Sequence, residues 1–169
     1  GELYDPELGL QIPEGEDCPA LMTFLAQVDG SVPEQTVPVV LHKRYARLDL
    51  SLRDLVQEGT TFVVLGEVCG YGMEMEPVSG LFRVALEPDE TFCDTVSIPM
   101  QLDGSLSLCV YRFGELERIF ALGEYILDSG YDWTAEDLED LRMEIDYVLG
   151  TVRLKFDQWS KSMYFTIVV

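Results

Sequence analysis

The sequence predicts an all-β chain: an antiparallel β-sandwich with one or two short helical turns. Three observations carry that expectation. Short apolar runs alternate with a period of two, Gly, Pro and Asp-Gly signals separate them, and only two stretches read as helical turns. The runs amount to roughly eight to ten strands, the spacing of a Greek-key sandwich rather than of alternating strand–helix units.

The elements follow in chain order. Leu21, Phe24, Leu25 and Val28 form a short apolar run closed by Asp29-Gly30. Thr36–Leu55 then alternates, with Ala46, Leu48, Leu50 and Leu52 on one face and Arg47, Asp49, Ser51 and Arg53 on the other. Pro38 has no N–H to give to a ladder, so that end is expected at an edge or a strand switch. Thr60–Tyr71 is β-branched and aromatic, bounded by Gly59 and by Gly70 and Gly72, and reads as a buried strand. Leu81–Leu86 follows between Gly80 and Pro88. Residues 94–113 read as a hairpin. Val96, Ile98, Met100 and Leu102 alternate up to Asp103-Gly104, and Leu106, Leu108 and Val110 alternate after it. Such a two-residue loop favours a type I′ turn.

Glu117–Leu127 fits two readings: Phe120 and Leu122 suit a strand, and Glu124–Asp128 suits a helical turn. Thr134-Ala-Glu-Asp137 resembles a capping box, so a short helix is expected to begin there. Met143, Ile145 and Tyr147 alternate, as do Val152, Leu154 and Phe156, with Gly150 between the two runs. The chain closes on Met163, Tyr164, Phe165, Thr166, Ile167, Val168 and Val169. Both faces of this last strand are largely apolar. A half-exposed sheet would alternate with polar residues, so this strand is the candidate partner strand, either buried in its own sandwich or inserted into a neighbouring subunit.

Charge narrows the partners. The 169 residues carry 11 Lys plus Arg against 31 Asp plus Glu, a net charge of −20. That field repels phosphate backbones and anionic lipid headgroups, so nucleic acid is not an expected partner. The first 42 residues hold eight acids and no Lys or Arg. Residues 1–19, with Pro6, Pro13 and Pro19, are expected to form an extended acidic leader outside the core, whose deletion should be nearly neutral. Residues 20–169 are then a single sandwich domain. No apolar run approaches the ~20 residues of a membrane-spanning helix.

Nothing in the residues spells out catalysis. His42 is the only histidine, which excludes a His-rich zinc site. Cys18, Cys69, Cys93 and Cys109 are scattered without a CxxC pair, and their pairing state stays open. The acids Asp128, Asp132, Glu136, Asp137, Glu139 and Asp140 are the densest carboxylate cluster, but they lack the ligand order of a calcium loop. Tyr71, Trp133 and Trp159 could stack on sugars, although core anchoring is the commoner use of such residues. A non-enzymatic chain without cofactor is the reading that results, with a surface glycan-binding module as the alternative.

Two segments carry a family resemblance. One is Thr36-Val-Pro-Val-Val-Leu-His-Lys-Arg-Tyr-Ala-Arg-Leu-Asp-Leu-Ser-Leu52. The other is Leu122-Gly-Glu-Tyr-Ile-Leu-Asp-Ser-Gly-Tyr-Asp-Trp-Thr-Ala-Glu-Asp-Leu138, followed by Met143-Glu-Ile-Asp-Tyr147 and the apolar end. Together they resemble the fimbrillin-type proteins of Bacteroidales, the subunits and anchor or accessory lipoproteins of surface fimbriae. The resemblance covers residues 36–169. It implies transthyretin-like sandwiches, export to the outer membrane or cell surface through an N-terminal lipid anchor, and assembly with other fimbrial or surface subunits by strand exchange. Members usually carry two sandwich domains; here one is expected, which favours an accessory or anchor-like protein.

Overall fold

The computed structural model describes residues 4–5, 9–53, 55–148, 151–158 and 161–168. In chain order these form β1 (Tyr4–Asp5), β2 (Gly9–Gln11), β3 (Met22–Thr23), β4 (His42–Lys43), β5 (Tyr45–Ser51), β6 (Thr60–Tyr71) and β7 (Pro77–Leu86). There follow β8 (Cys93–Pro99), β9 (Ser107–Arg112), β10 (Glu115–Phe120), α1 (Leu122–Asp128), β11 (Leu141–Val148), β12 (Thr151–Gln158) and β13 (Lys161–Val168).

Two large sheets result. A six-stranded sheet runs β1-β2-β6-β9-β10, with β7 also paired to β6; a five-stranded sheet runs β13-β12-β11-β5-β8. Alternation decides what each strand buries. From the first sheet Phe62, Val64, Phe82, Val84, Leu108 and Val110 enter the core. From the second, Ala46, Leu48, Leu50, Val96, Ile98 and Met143 meet them. At roughly 1.5–3 kcal/mol per fully buried aliphatic or aromatic side chain, this shared layer is the main favourable term in the fold. The all-β sandwich expected from the periodicity is what forms. Among the described residues its pairs are antiparallel except one: β5 and β11 run parallel, with Leu141 opposite Leu48 and Met143 opposite Leu50.

The acidic N-terminal stretch is not a leader outside the core. Leu10, Ile12 and Cys18 are buried in the central cluster. Leu10 pairs with Tyr71 and Gln11 with Gly70. The contact is so close that a Cβ on Gly70 would sit 2.2 Å from the Leu10 carbonyl oxygen, which only glycine tolerates. Charge and proline content had concealed the alternation of Leu8, Leu10 and Ile12.

The hairpin expected at 94–113 is not one. β8 pairs with β5 in one sheet and β9 with β6 in the other, so residues 100–106 cross between layers. Asp103 Oδ1 accepts the Ser105 N–H at 2.8 Å, and Gly104 does not adopt a left-handed φ, so no type I′ turn forms there. Leu102, expected among the inward residues, is exposed. The tight hairpin lies one strand later. β9 and β10 pair Arg112 with Glu115, and the loop between them is Phe113 (φ 50°) and Gly114 (φ 85°), the two positive φ values of a type I′ turn.

The helix expected at Thr134 does not form either. The Thr134 amide and hydroxyl both go to Asp132 Oδ1, at 2.8 and 2.6 Å, so that hydroxyl caps nothing. Asp137 is drawn to β4 instead, and the Leu138 N–H donates to the Lys43 carbonyl at 3.0 Å. The one helix among the described residues is α1, which resolves the ambiguity at 117–127: strand to Phe120, helix from Leu122. The apolar run at 21–28 yields only β3; from Phe24 to Leu41 there is no regular element.

Candidate interaction edge

Every open sheet has edges, and an edge is a row of unpaired N–H and C=O groups that must be covered, blunted or used. Among the described residues the first large sheet ends in β1, β7 and β10 and the second in β8 and β13, and three of these edges, β7, β8 and β10, are covered or blunted. At β8, the Cys18 N–H donates to Ser97 O at 2.9 Å and the Ser97 N–H to Asp17 Oδ2 at 3.3 Å, so residues 17–18 cover it. At β7, the Gly15 N–H donates to Arg83 O at 2.8 Å. β10 is short, carries Glu115, Glu117 and Arg118, and breaks register between Leu116 and Arg118. Charges and a bulge of this kind discourage further pairing.

Of the two edges left, β1 is only two residues long, and the long one is β13. Its inner side pairs with β12 along its whole length, from Gln158 opposite Lys161 to Thr151 opposite Val168. The candidate residues Met163, Tyr164, Phe165, Thr166, Ile167 and Val168 all lie in this ladder, so their main chain pairs within the chain's own sheet; Val169 lies outside the described residues. Registers continue across the sheet, Leu141 and Met143 beside β5, then Met143 opposite Phe156 and Phe156 opposite Met163. Along β13 the only charged residue is Lys161. No neighbouring strand lies beyond β13 among the described residues.

The acidic cluster spends its carboxylates locally. Asp137 accepts the Lys43 N–H at 2.7 Å and faces His42 Nδ1 at 3.3 Å; the Lys43 bond first, and His42 second, hold its carboxyl below the ordinary range. Asp140 bonds the Lys43 ammonium and accepts the Arg47 N–H at 2.8 Å. The two Thr134 bonds depress Asp132, the hydroxyl more than the amide. Asp137 and Asp140 thus pin their segment against β4 and β5, while Asp132 bonds only within its own turn. Among the described residues, no group of three or more His, Cys, Asp or Glu could hold a metal ion.

The aromatics are packed rather than presented. Tyr131 and Trp133 are buried edge-to-face with ring centroids 4.7 Å apart, and Tyr131 Oη donates to Glu139 O at 2.7 Å. Trp133 therefore offers no open face to a sugar, and Trp159 lies outside the described residues. All four cysteines are free thiols; Cys93 is exposed, while burial first, and Asp17 second, push the Cys18 thiol up to about 12. What sequence reasoning missed is the N-terminal cover over the β7 and β8 edges, whose only visible signal was the Leu8–Leu10–Ile12 alternation.

No protein-family model matches this chain, and no curated protein does. Solved structures do. It is similar to a candidate adhesin from Bacteroides ovatus, at 12% identity and TM-score 0.51, over 83% of this chain and 54% of that one. It is also similar to a candidate cell-adhesion protein from Bacteroides uniformis, at 12% identity and TM-score 0.45, over 73% of this chain and 54% of that one. A candidate adhesin from Bacteroides thetaiotaomicron matches at 14% identity and TM-score 0.46, over 78% of this chain and 54% of that one. The chain thus spans about half the length of each. The likeness to the B. ovatus protein is one of fold. Among the described residues no helix is long and apolar enough to cross a membrane.

Proposed function

We propose that this chain is a non-enzymatic, exported cell-surface protein of the adhesin kind that acts in fimbrial assembly or anchoring by adding a partner subunit's strand at β13. The observation that carries this reading is the difference between the β13 edge and the β7, β8 and β10 edges. The chain covers β7 and β8, blunts β10 with charge and a bulge, and leaves a nearly uncharged strand at β13. Main-chain bonds along such an edge supply affinity, and alternate side chains supply specificity. Attachment to the outer membrane by a lipid upstream of residue 1 belongs to the same proposal.

The test is to set lysines on the edge. Tyr164→Lys with Thr166→Lys should leave stability within about 1 kcal/mol, because edge strands tolerate charge, while cell-surface adhesion and subunit assembly are lost. Unchanged assembly and adhesion in a folded double variant would sink the proposal.

A further inference from the structure

The outer face of the second sheet carries an open trough of about 440 Å³ where β8, β5 and β11 lie side by side. Alternation turns Arg47, Asp49 and Ser51 of β5 away from the core that Leu48 and Leu50 enter. Thr95 of β8 stands opposite Asp49 on one side, and Arg142 of β11 stands opposite it on the other. Arg47 is one pleat repeat away along β5. A rise of ~3.3 Å per residue and a strand spacing of ~4.8 Å put the roots of the two arginines roughly 8 Å apart. One small ligand spans that distance, and the volume is that of a small-molecule site.

The groups left unpaired in the trough define what it would hold. Asp49 is engaged on both oxygens: the Thr95 hydroxyl donates to Oδ1 at 2.7 Å, and Arg142 Nη2 stands 3.8 Å from Oδ2. Asp94 accepts the Thr95 N–H at 2.7 Å on one oxygen and the Glu87 N–H at 2.6 Å on the other. The guanidiniums are the unspent groups. At 3.8 Å the Arg142 contact is an ion pair too long for a hydrogen bond. The Arg47 guanidinium makes neither an ion pair nor a hydrogen bond among the described residues; only its main-chain N–H meets a carboxylate, Asp140 at 2.8 Å. Two planar forks of N–H donors ask for an oxyanion.

The carboxylates beside them select the anion. Asp49 and Asp94 each keep lone pairs for hydroxyl donors, whereas phosphate would bring a larger charge against them and at most one such donor. A ligand with one carboxylate and several hydroxyls satisfies both halves of the trough. We propose that it binds an acidic monosaccharide unit, its carboxylate on Arg47 and Arg142 and its hydroxyls on Asp49, Asp94 and Ser51. The net charge of −20 does not forbid this, because acids beyond the ~8 Å Debye length of physiological salt are screened while the guanidiniums act at contact. Among the described residues no aromatic ring lines the trough, so recognition falls to charge rather than to stacking. The inference does not rest on the β13 reading.

Titration of the isotope-labelled chain with D-glucuronate at constant ionic strength tests it, with glucose, acetate and inorganic phosphate in parallel. Glucuronate should bind saturably and shift the amide resonances of Asp49 and Thr95. The other probes should bind at least about tenfold more weakly, because glucose lacks the charge and acetate and phosphate lack the ring hydroxyls. Arg47→Gln and, separately, Arg142→Gln should each weaken glucuronate at least about tenfold while the melting point stays nearly unchanged, since both side chains are exposed. Arg83→Gln, on the other sheet, should leave binding as it is. Cys93 supplies a second readout: its exposed thiol lines the same trough, so bound glucuronate should slow its alkylation and glucose should not. No saturable binding, equal binding of glucose or phosphate, or binding indifferent to both arginine variants overturns the inference. So does Cys93 alkylation that saturating glucuronate leaves unchanged.

Discussion

The Tyr71 hydroxyl sits between the two sheets of the sandwich and joins them: its oxygen accepts the Met100 N–H at 2.7 Å and donates to the carbonyl of Arg44. Tyr71 ends β6 in one sheet, whereas Arg44 and Met100 flank β5 and β8 in the other. Burial dominates the titration of this phenol and holds its pKa far above the ordinary value, so the group stays a neutral donor and acceptor at any physiological pH. Tyr71→Phe keeps the ring in the core but strands one donor and one acceptor. Each orphaned buried group costs about 1–3 kcal/mol, partly relieved on the Arg44 side, so a loss of about 2–3 kcal/mol is expected in denaturant melts. A change below half a kcal/mol would show that the bridge contributes nothing to stability.

The N-terminal stretch should behave as core. Ile12 is buried in the central cluster, and its N–H donates to the Cys69 carbonyl at 2.8 Å. Ile12→Ala should therefore cost about 2–4 kcal/mol, the range for truncating a buried aliphatic side chain. Deleting residues 1–19 should unfold the chain or lower its melting point by well over the few degrees that a dispensable tail would. A deletion that melts like the intact protein would return this segment to the role of a solvated leader.

These two residues also show what was legible in the sequence. Where an element buries one face, alternation is enough: Ala46, Leu48, Leu50 and Leu52 are all fully buried, and Thr60–Tyr71 is β6 from end to end. Long-range choices left weaker traces. Val96–Met100 and Leu106–Val110 alternate equally well whether they pair with each other or with β5 and β6, so a turn signal at Asp103-Gly104 was read as a hairpin. Local capping chemistry at Thr134 was outbid by Asp132 and by the main chain of Lys43, 91 residues away in sequence from Thr134. Two apolar faces at 163–169 marked a strand there, and β13 forms over most of it; the coverage of the β7 and β8 edges left no local pattern, because it depends on the Asp17 carboxylate and on the main-chain N–H groups of Cys18 and Gly15.

Asp17 gives a pH signature of unusual sign. Partial burial of its carboxylate raises the pKa most, the Ser97 N–H pulls it down, and the neighbouring Asp94 charge raises it again. The net effect is a proton held more tightly in the folded chain than in the unfolded one. Such a group destabilises the fold at neutral pH, and the penalty fades as the pH falls through its folded pKa toward the unfolded value of 3.8. Asp17→Asn keeps an oxygen for Ser97 and removes the charge. The variant should melt higher than the parent at pH 7, and the two melting points should converge below about pH 4. Asp132 and Asp137 have depressed pKa values and lose their contribution in acid, but they do so equally in both proteins, so the difference isolates Asp17. A variant less stable at pH 7 would mean that the Ser97 bond outweighs burial.

Gly104 and Gly114 offer the sharpest comparison, because the sequence pointed to the first and the structure points to the second. Gly114 holds φ at 85° as the second residue of the β9–β10 turn, with Phe113 at 50° before it. The Phe113 N–H donates to Gly59 O at 2.8 Å, and its ring lies so close over Gly59 that a Cβ there would meet it at 2.3 Å, so this turn has little freedom to change type. An alanine forced into the left-handed region costs roughly 1–2 kcal/mol. Gly104 has no such φ, and a Cβ there would meet only Glu124 and Leu127 at 3.3–3.5 Å, mostly side-chain atoms that can yield. Gly114→Ala should therefore destabilise by about 1–2 kcal/mol, while Gly104→Ala should stay within about 0.5 kcal/mol of the parent, its crowding offset by the entropy alanine removes from the unfolded chain. Thermal melts of the two variants, measured side by side, decide the point. A larger loss at Gly104 than at Gly114 would mean that the tight turn lies between β8 and β9 after all.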